Sequence, residues 1–384
     1  MRHKNKFKAV FKDLFGHSSG EHKPDLIFIS SLAVLCFLGL LMLSSASSVQ
    51  AFQKFNDSYY FLKHQITRGL LPGLLAFVLL SRISYRYWKK YAFWLLVISL
   101  ALLVLVFIPG IGVVYNNAHS WIKIGGLSFQ PTEVVKLTFL IYLASWFDKK
   151  NKQEMKNPEY SLIPLLSLLG LIIFLILAQP DTGSLLIILA IALMVYFAAG
   201  APWKYILSMV AAGLIVLIIA VQIAPYRLDR FTSFLHPEKD PQGKGYHISQ
   251  AKLAIGTGGI FGLGIGKSRQ KFNYLPEVSG DSIFAIIAEE MGFIFSLIII
   301  ILFLMLMIRG FKIARASPDN YGMLLALGIT GWFSFQAFVN IAGMVAILPL
   351  TGIPLPFISY GGTALFVSLA ACGILVNISK YSRT

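Results

Sequence analysis

Apolar stretches long enough to cross a bilayer recur along the whole chain, and this constrains the fold more than any other feature. A membrane-spanning helix needs about 20 mostly apolar residues. We read ten such stretches, at 26–47, 64–81, 91–108, 132–147, 162–178, 184–200, 203–223, 283–308, 322–345 and 358–378. Backbone amides in hydrocarbon must be satisfied within their own segment, so these stretches are expected to be helices. The predicted fold class is an all-α polytopic membrane protein. Composition agrees: 57% of the 384 residues are hydrophobic and 13% are charged. The small residues SSASS at 44–48 imitate a signal-peptide cleavage site, but the apolar run before them is longer than a signal core. It reads as a retained first span. Cys36 and Cys372 both fall in apolar runs, which implies neither a disulfide framework nor a metal cluster.

Basic residues outnumber acidic ones 33 to 17. In a soluble protein that excess would suggest nucleic acid. Here its placement matters more. The tails and the connections after the even-numbered spans hold twenty Lys and Arg, against three in the short connections on the other side. The positive-inside rule then puts both termini in the cytoplasm and calls for no nucleic-acid partner. The expected organisation is a basic cytoplasmic tail (1–25), spans one to seven (26–223), a large outer loop (224–282), spans eight to ten (283–378) and a short cytoplasmic tail (379–384). Long loops weigh little in the orientation rule, so the eight cations of 224–282 do not overturn it.

The outer loop carries the candidate chemistry. It holds eight basic and five acidic residues. With its glycines it suits either a phosphate or pyrophosphate, or anionic lipid headgroups. Its GGIFGLG resembles a nucleotide fingerprint but follows no buried strand. Pieces such as ISQAKLAIGTGGIFGLGIG (248–266) read as short helices at the outer interface. The stretch YLPEVSGDSIFAIIAEE (274–290) concentrates four carboxylates, Glu277, Asp281, Glu289 and Glu290. Asp281 reads either as the N-cap of the eighth span or as a lone general base. On a regular helix Asp281 and Glu289 would be about 12 Å apart, too far for a paired-carboxylate glycosidase. Glu289 and Glu290 lie at a depth where ionised groups need a partner. Glu133 and Lys136 are three apart and read as an ion pair or as substrate ligands. Asp181 falls in a tight turn, and LPLTGIPLPFISYGG (348–362) cannot be a regular helix. His119 and His247 read as isolated, with no metal-ligand spacing and no nucleophile–His–acid set.

Taken together, the blocks SWIKIGGLSFQPTEVVKL, QPDTGSLL, PYRLDRFTSFLHPEKDPQGKGYHISQAKLAIGTGGIFGLGIGKSRQKFNYLPE, DSIFAIIAEEMGF and LPLTGIPLPFISYGG resemble the SEDS family of cell-wall polymerases, the FtsW/RodA type. The resemblance covers nearly all of 26–380, and SRQK…YLPE and TGIPLPFISYGG are closer to its division branch. It implies a peptidoglycan glycosyltransferase that polymerises lipid II at the outer face of the cytoplasmic membrane, acting in cell division at the septum. It further implies Asp281 as the catalytic carboxylate, and substrate contacts at Arg227, Arg230, Lys267, Glu133 and Lys136. Glu277 reads as a tuning acid, and Glu289 and Glu290 as structural or tuning acids inside the bundle. The implied partners are lipid II, the growing lipid-linked glycan, a class B penicillin-binding transpeptidase and other division or elongation proteins. No cofactor is implied with certainty, and a divalent cation stays open. A lipid II flippase and a division scaffold without activity are the rival readings. The chain departs from the family pattern beside Asp281: Gly280 stands where a Thr or similar is usual, and Ser282 where an aromatic residue is usual. It also reads NAHSW at 117–121, where many relatives carry Arg before the Trp.

Overall fold

The computed structural model describes residues 22–115, 118–125, 127–223, 234 and 244–382. Helices occupy all ten apolar stretches. In chain order they are α1 (Leu26–Ala46), the short α2 (Ser48–Phe55) and α3 (Tyr60–His64), a π-helical turn (Gln65–Leu70) running into α4 (Leu71–Arg82), and α5 (Arg86–Leu105). Then come α6 (Pro131–Asp148), the short α7 (Lys152–Lys156), α8 (Leu162–Leu177), α9 (Thr182–Ala198), α10 (Trp203–Ile223) and α11 (Lys244–Gly258). The last three are α12 (Ile283–Arg315), α13 (Asn320–Met344) and α14 (Gly362–Tyr381). Among the described residues, α1, α5, α12, α13 and α14 are each long and apolar enough to cross a bilayer alone. α13 and α14 are the most buried of these and form the centre, whereas α5 lies at the periphery.

Small residues let these helices approach, as in other membrane bundles. A β-carbon on Gly310 of α12 would come within 2.2 Å of Thr330 Oγ1 on α13. One on Gly373 of α14 would come within 2.7 Å of the Phe77 carbonyl oxygen on α4.

The expectation of a purely helical chain needs one correction. Between α5 and α6 lies a three-stranded antiparallel sheet, β1 (Gly112–Tyr115), β2 (Ala118–Ile124) and β3 (Leu127–Phe129), in the order β1-β2-β3. Its register pairs Val113 with Trp121 and Ile122 with Phe129. The signal was readable: β-branched and aromatic residues alternate there between the turn formers NN and GG.

Contacts separate the connections into two groups at opposite ends of the bundle. At one end Arg309 pairs with Asp25 at 2.5 Å, Arg86 pairs with Asp319 at 2.9 Å, and Lys89 pairs with Asp148. At the other end lie the sheet, the segment before α12 and the irregular stretch before α14. Gln65, at the π-helical turn, donates to the Ser359 carbonyl at 3.1 Å and accepts from the Gly361 amide at 2.9 Å. A π-turn often marks a functional site. Here it presents a buried amide to backbone that no regular element satisfies.

Candidate active site

The irregular stretch 348–361 exposes backbone polar groups inside the bundle, and each such group needs a partner. Buried side chains supply them. Asn340 Nδ2 donates at 2.8 Å to the Ile353 carbonyl, and also at 2.8 Å to the Asp281 carbonyl. Gln336 Nε2 donates to the Pro354 carbonyl at 2.8 Å. Ser359 Oγ donates to the Gly280 carbonyl at 2.7 Å, and the Tyr360 amide donates to the Ser279 carbonyl at 2.8 Å. The segment carrying Asp281 is thereby stapled to the stretch before α14. Gln65, Gln336, Asn340 and Ser359 were not singled out in the sequence. A mid-helix amide in an apolar run was the one signal available for the first three.

These staples frame a polar cavity of about 490 Å³. Asp281, Glu277, Glu133, Lys136, Asp181 and His247 all reach its wall. Ser120 and Trp121 of β2 close it on one side. The QPTE and QPDTG motifs meet here. Asp181 caps α9 by accepting from the Ser184 amide at 3.0 Å. It also accepts from Gln130 Nε2 at 3.1 Å, Thr132 Oγ1 at 3.2 Å and Ser184 Oγ at 2.7 Å. Gly352, with φ +73°, turns the chain past Asp281; a β-carbon there would lie 4.0 Å from Asp281 Oδ2.

Glu133 and Lys136 form a buried pair, Nζ to Oε1 at 2.7 Å, with side-chain exposures of 4% and 1%. Lys136 Nζ also lies 5.2 Å from the Trp332 ring centroid, a cation–π distance. Glu133 Oε2 has no hydrogen-bond partner among the described residues. One carboxylate oxygen holds the lysine, and the other is a buried acceptor without a partner among the described residues.

Two expectations change, and the alternatives for Glu289 and Glu290 narrow to the structural one. Asp281 is not the N-cap of α12: Ser282 holds that position, and Asp281 stands one residue outside the helix. Glu289 and Glu290 do not reach the cavity. Glu290 accepts from Ser45 Oγ at 2.7 Å, from Lys271 Nζ at 3.0 Å and from the Ser268 amide at 3.3 Å. Glu289 accepts from Ser268 Oγ at 2.5 Å and from the Arg269 amide at 2.9 Å. The two acids clamp the 264–271 loop onto α12. Nor do the glycines of GGIFGLG cradle an anion. The Leu263 and Gly264 amides donate to the Glu289 and Glu290 carbonyls where α12 kinks at Gly292, whose φ is 77°. A β-carbon on Gly262 would sit 2.3 Å from the Glu290 carbonyl oxygen. The glycines let two backbones cross.

Of the predicted substrate cations, Lys267 is exposed and does not line the cavity, and Arg227 and Arg230 lie outside the described residues. Lys136 is the one Lys or Arg on the cavity wall among the described residues. No group of three or more His, Cys, Asp or Glu side chains there is placed to hold a metal ion.

Residues 25–384 match the family model of the FtsW/RodA/SpoVE cell cycle proteins. The chain belongs to this family. It is 41% identical over 360 residues to Stage V sporulation protein E of Bacillus subtilis (strain 168), covering 94% of this chain and 98% of that one. It is 40% identical over 359 residues to a protein named probable peptidoglycan glycosyltransferase FtsW of Geobacter sp. (strain M18), covering 94% and 97%. Among solved structures, a chain from a peptidoglycan synthase complex that coordinates polymerization and crosslinking aligns with a TM-score of 0.75 at 30% identity, over 93% of this chain and 97% of that one. The rod shape determining protein RodA of Thermus thermophilus aligns with a TM-score of 0.67 at 28% identity, over 94% and 98%. This FtsW/RodA/SpoVE member is therefore a multi-pass, mainly helical membrane protein.

Proposed function

We propose that this chain is a peptidoglycan glycosyltransferase that polymerises lipid II at the outer face of the cytoplasmic membrane. The observation that carries the proposal is the polar cavity itself. It gathers Asp281, Glu133 and Lys136 from distant parts of a chain whose relatives bear that activity in their names.

In this reading Asp281 is the general base. Its carboxylate takes the proton from the C4 hydroxyl of the acceptor GlcNAc. The C4 oxygen forms the new bond to C1 of the donor MurNAc. The C1–oxygen bond to undecaprenyl pyrophosphate breaks, and the pyrophosphate leaves with the electron pair. A single displacement inverts C1. Glu133 Oε2 is the acceptor available to a sugar hydroxyl, and Lys136 holds its carboxylate in place. Arg227, Arg230 and Lys267 are assigned to the pyrophosphate by resemblance. Glu277, exposed at the rim with φ +48°, tunes the charge beside Asp281. Beside the first turns of α12, an apolar groove of about 910 Å³ lined by Phe284, Ala288, Phe303, Phe335 and Phe338 offers a surface for the prenyl tail. Both termini are cytoplasmic, the site of action is the division septum, and the partner is a class B transpeptidase. The distribution of Lys and Arg supports the orientation, the relatives named FtsW support the division role, and the neighbour from a synthase complex supports the partner.

The test is polymerisation of lipid II by the purified protein with its transpeptidase, the products separated by length. The wild type should make long glycan, and Asp281→Asn should lose about a hundredfold or more in rate at matched folding. Equal polymer from both would remove Asp281 as the base. No polymer from the wild type, beside a partner that is active, would favour transport or scaffolding.

A further inference from the structure

The sequence leaves His247 isolated and Ser282 as an unexplained departure beside Asp281. The structure joins them. His247, on α11, places Nε2 2.7 Å from Ser282 Oγ. Ser282 is fully buried, and its Oγ lies 3.5 Å from Asp281 Oδ1. That last distance is long for an O–H···O bond, as bonds at a reacting centre often are before substrate binds. His247 and Asp281 line the same cavity. An aromatic ring at 282 would have no serine hydroxyl with which to make this link.

We propose that His247 is a positioning residue for Asp281, acting through the Ser282 hydroxyl, and that it makes polymerisation depend on pH near neutrality. The inference rests on reading Asp281 as the general base. The hydrogens set its direction. Ser282 has one hydroxyl hydrogen. To donate it to the ionised Asp281, the serine oxygen must receive a hydrogen from His247, so Nε2 carries one. Both the Nε2–H tautomer and the imidazolium meet that condition. The donor chain from His247 through Ser282 orients the carboxylate of Asp281 through Oδ1. Protonating His247 adds a positive charge two hydrogen bonds from the carboxylate. A nearby cation stabilises the ionised form and makes it a weaker base.

Among the described residues, the other titratable groups on this cavity are Glu277, on the same segment as Asp281, Glu133 and Lys136 on α6, Asp181 before α9 and Tyr360 before α14. The helix of His247 also carries Lys244, Tyr246 and Lys252. The carboxylates on the same cavity also titrate on the acid side, so an acid limb belongs to the histidine only where His247→Gln removes it.

The experiment compares wild type, His247→Gln, His247→Ala, Ser282→Ala and Asp281→Asn as purified complexes with the transpeptidase. It measures initial glycan-forming rates on lipid II across neutral and mildly acid pH, with a melting temperature for each variant. The wild-type rate should show an acid limb, because the imidazolium weakens the base beside it. His247→Ala and Ser282→Ala should lose about tenfold in kcat at alkaline pH, with KM for lipid II nearly unmoved. His247→Gln, whose amide can still donate to the serine, should restore most of that loss and abolish the acid limb. An unchanged acid limb in His247→Gln, or wild-type rates from His247→Ala, would overturn the proposal. So would losses that track the melting temperature and are not restored by Gln. Full activity from Asp281→Asn would overturn it too while leaving the polymerase reading intact. A wild type that makes no polymer would bring down the functional reading and this inference with it.

Discussion

The Lys136 side chain is 1% exposed, and among the described residues Glu133 is the one acid at salt-bridge distance from it. Removing one member of such a pair strands the other, which costs about 3–5 kcal/mol. We therefore expect Lys136→Met to destabilise the folded protein by about that amount, read from unfolding in detergent. The spacing of the two residues showed that they could pair. It did not show that the second oxygen, Glu133 Oε2, is buried without a partner among the described residues, because that depends on the neighbours the fold brings. Gly280 is a milder case. A β-carbon there would meet Glu277 Oε2 at 3.5 Å, an ordinary contact, so the lost Thr-like side chain leaves no steric signature.

The kink of α12 and the 258–264 segment form one unit at the scale of elements. A β-carbon on Gly258 would lie 1.9 Å from the Ala288 carbonyl oxygen, and one on Gly292 would lie 2.3 Å from the Gly262 nitrogen. Both obstacles are backbone and cannot rotate away. Gly262, with φ +78°, adds conformational strain to the same clash. Gly262→Ala should cost several kcal/mol, near the upper end for single substitutions, and lower the melting temperature sharply. The Lys271–Glu290 clamp packs against the same crossing and should respond in the same direction if broken. Its two charges have exposures of only 4% and 0%. The sequence displayed these glycines and acids plainly, yet suggested an anion site. Glycine permits close approach to a ligand and to another backbone alike, and only the partner's position separates the two.

Across the whole molecule, charge is sorted between the two ends of the bundle. Asp319 links α5 to α13 at the end opposite the cavity. Burial alone would raise its carboxyl pKa, but the Tyr85 hydroxyl, the Gly322 amide and the Arg86 guanidinium donate to it and hold it below the ordinary value. A depressed folded pKa contributes stability above the unfolded value, about 3.9, which is lost as pH falls through the lower folded value. Acidifying the wild type through that window should lower its melting temperature more than it lowers that of Asp319→Asn. Orientation can be measured on intact cells. Cys36 and Cys372 are both buried, so introduced cysteines should dominate labelling. Asn273→Cys, at the cavity end, should react with an impermeant maleimide from outside. Gln153→Cys, on α7, should react only after the membrane is opened. The reverse pattern would invert the orientation.

The sequence by itself determined that this chain is a bundle of membrane helices. Apolar length is a local property, and a backbone in lipid has few ways to satisfy itself. The ordered motifs also carried the family, since five of them survive at fixed places along the chain. Even the small sheet was within reach, through its alternation and its turn residues. What only the tertiary structure decided is which polar residues share a space. Asp281, Asp181, Glu133 and His247 come from four separate segments, and no spacing along the chain measures the distances between them. Which carboxylates face the cavity and which clamp backbone was settled there as well, because an acid in a helix looks the same in sequence whether its partner is a ligand or a loop. His247 read as isolated for the same reason: its neighbour, Ser282, lies 35 positions further along the chain.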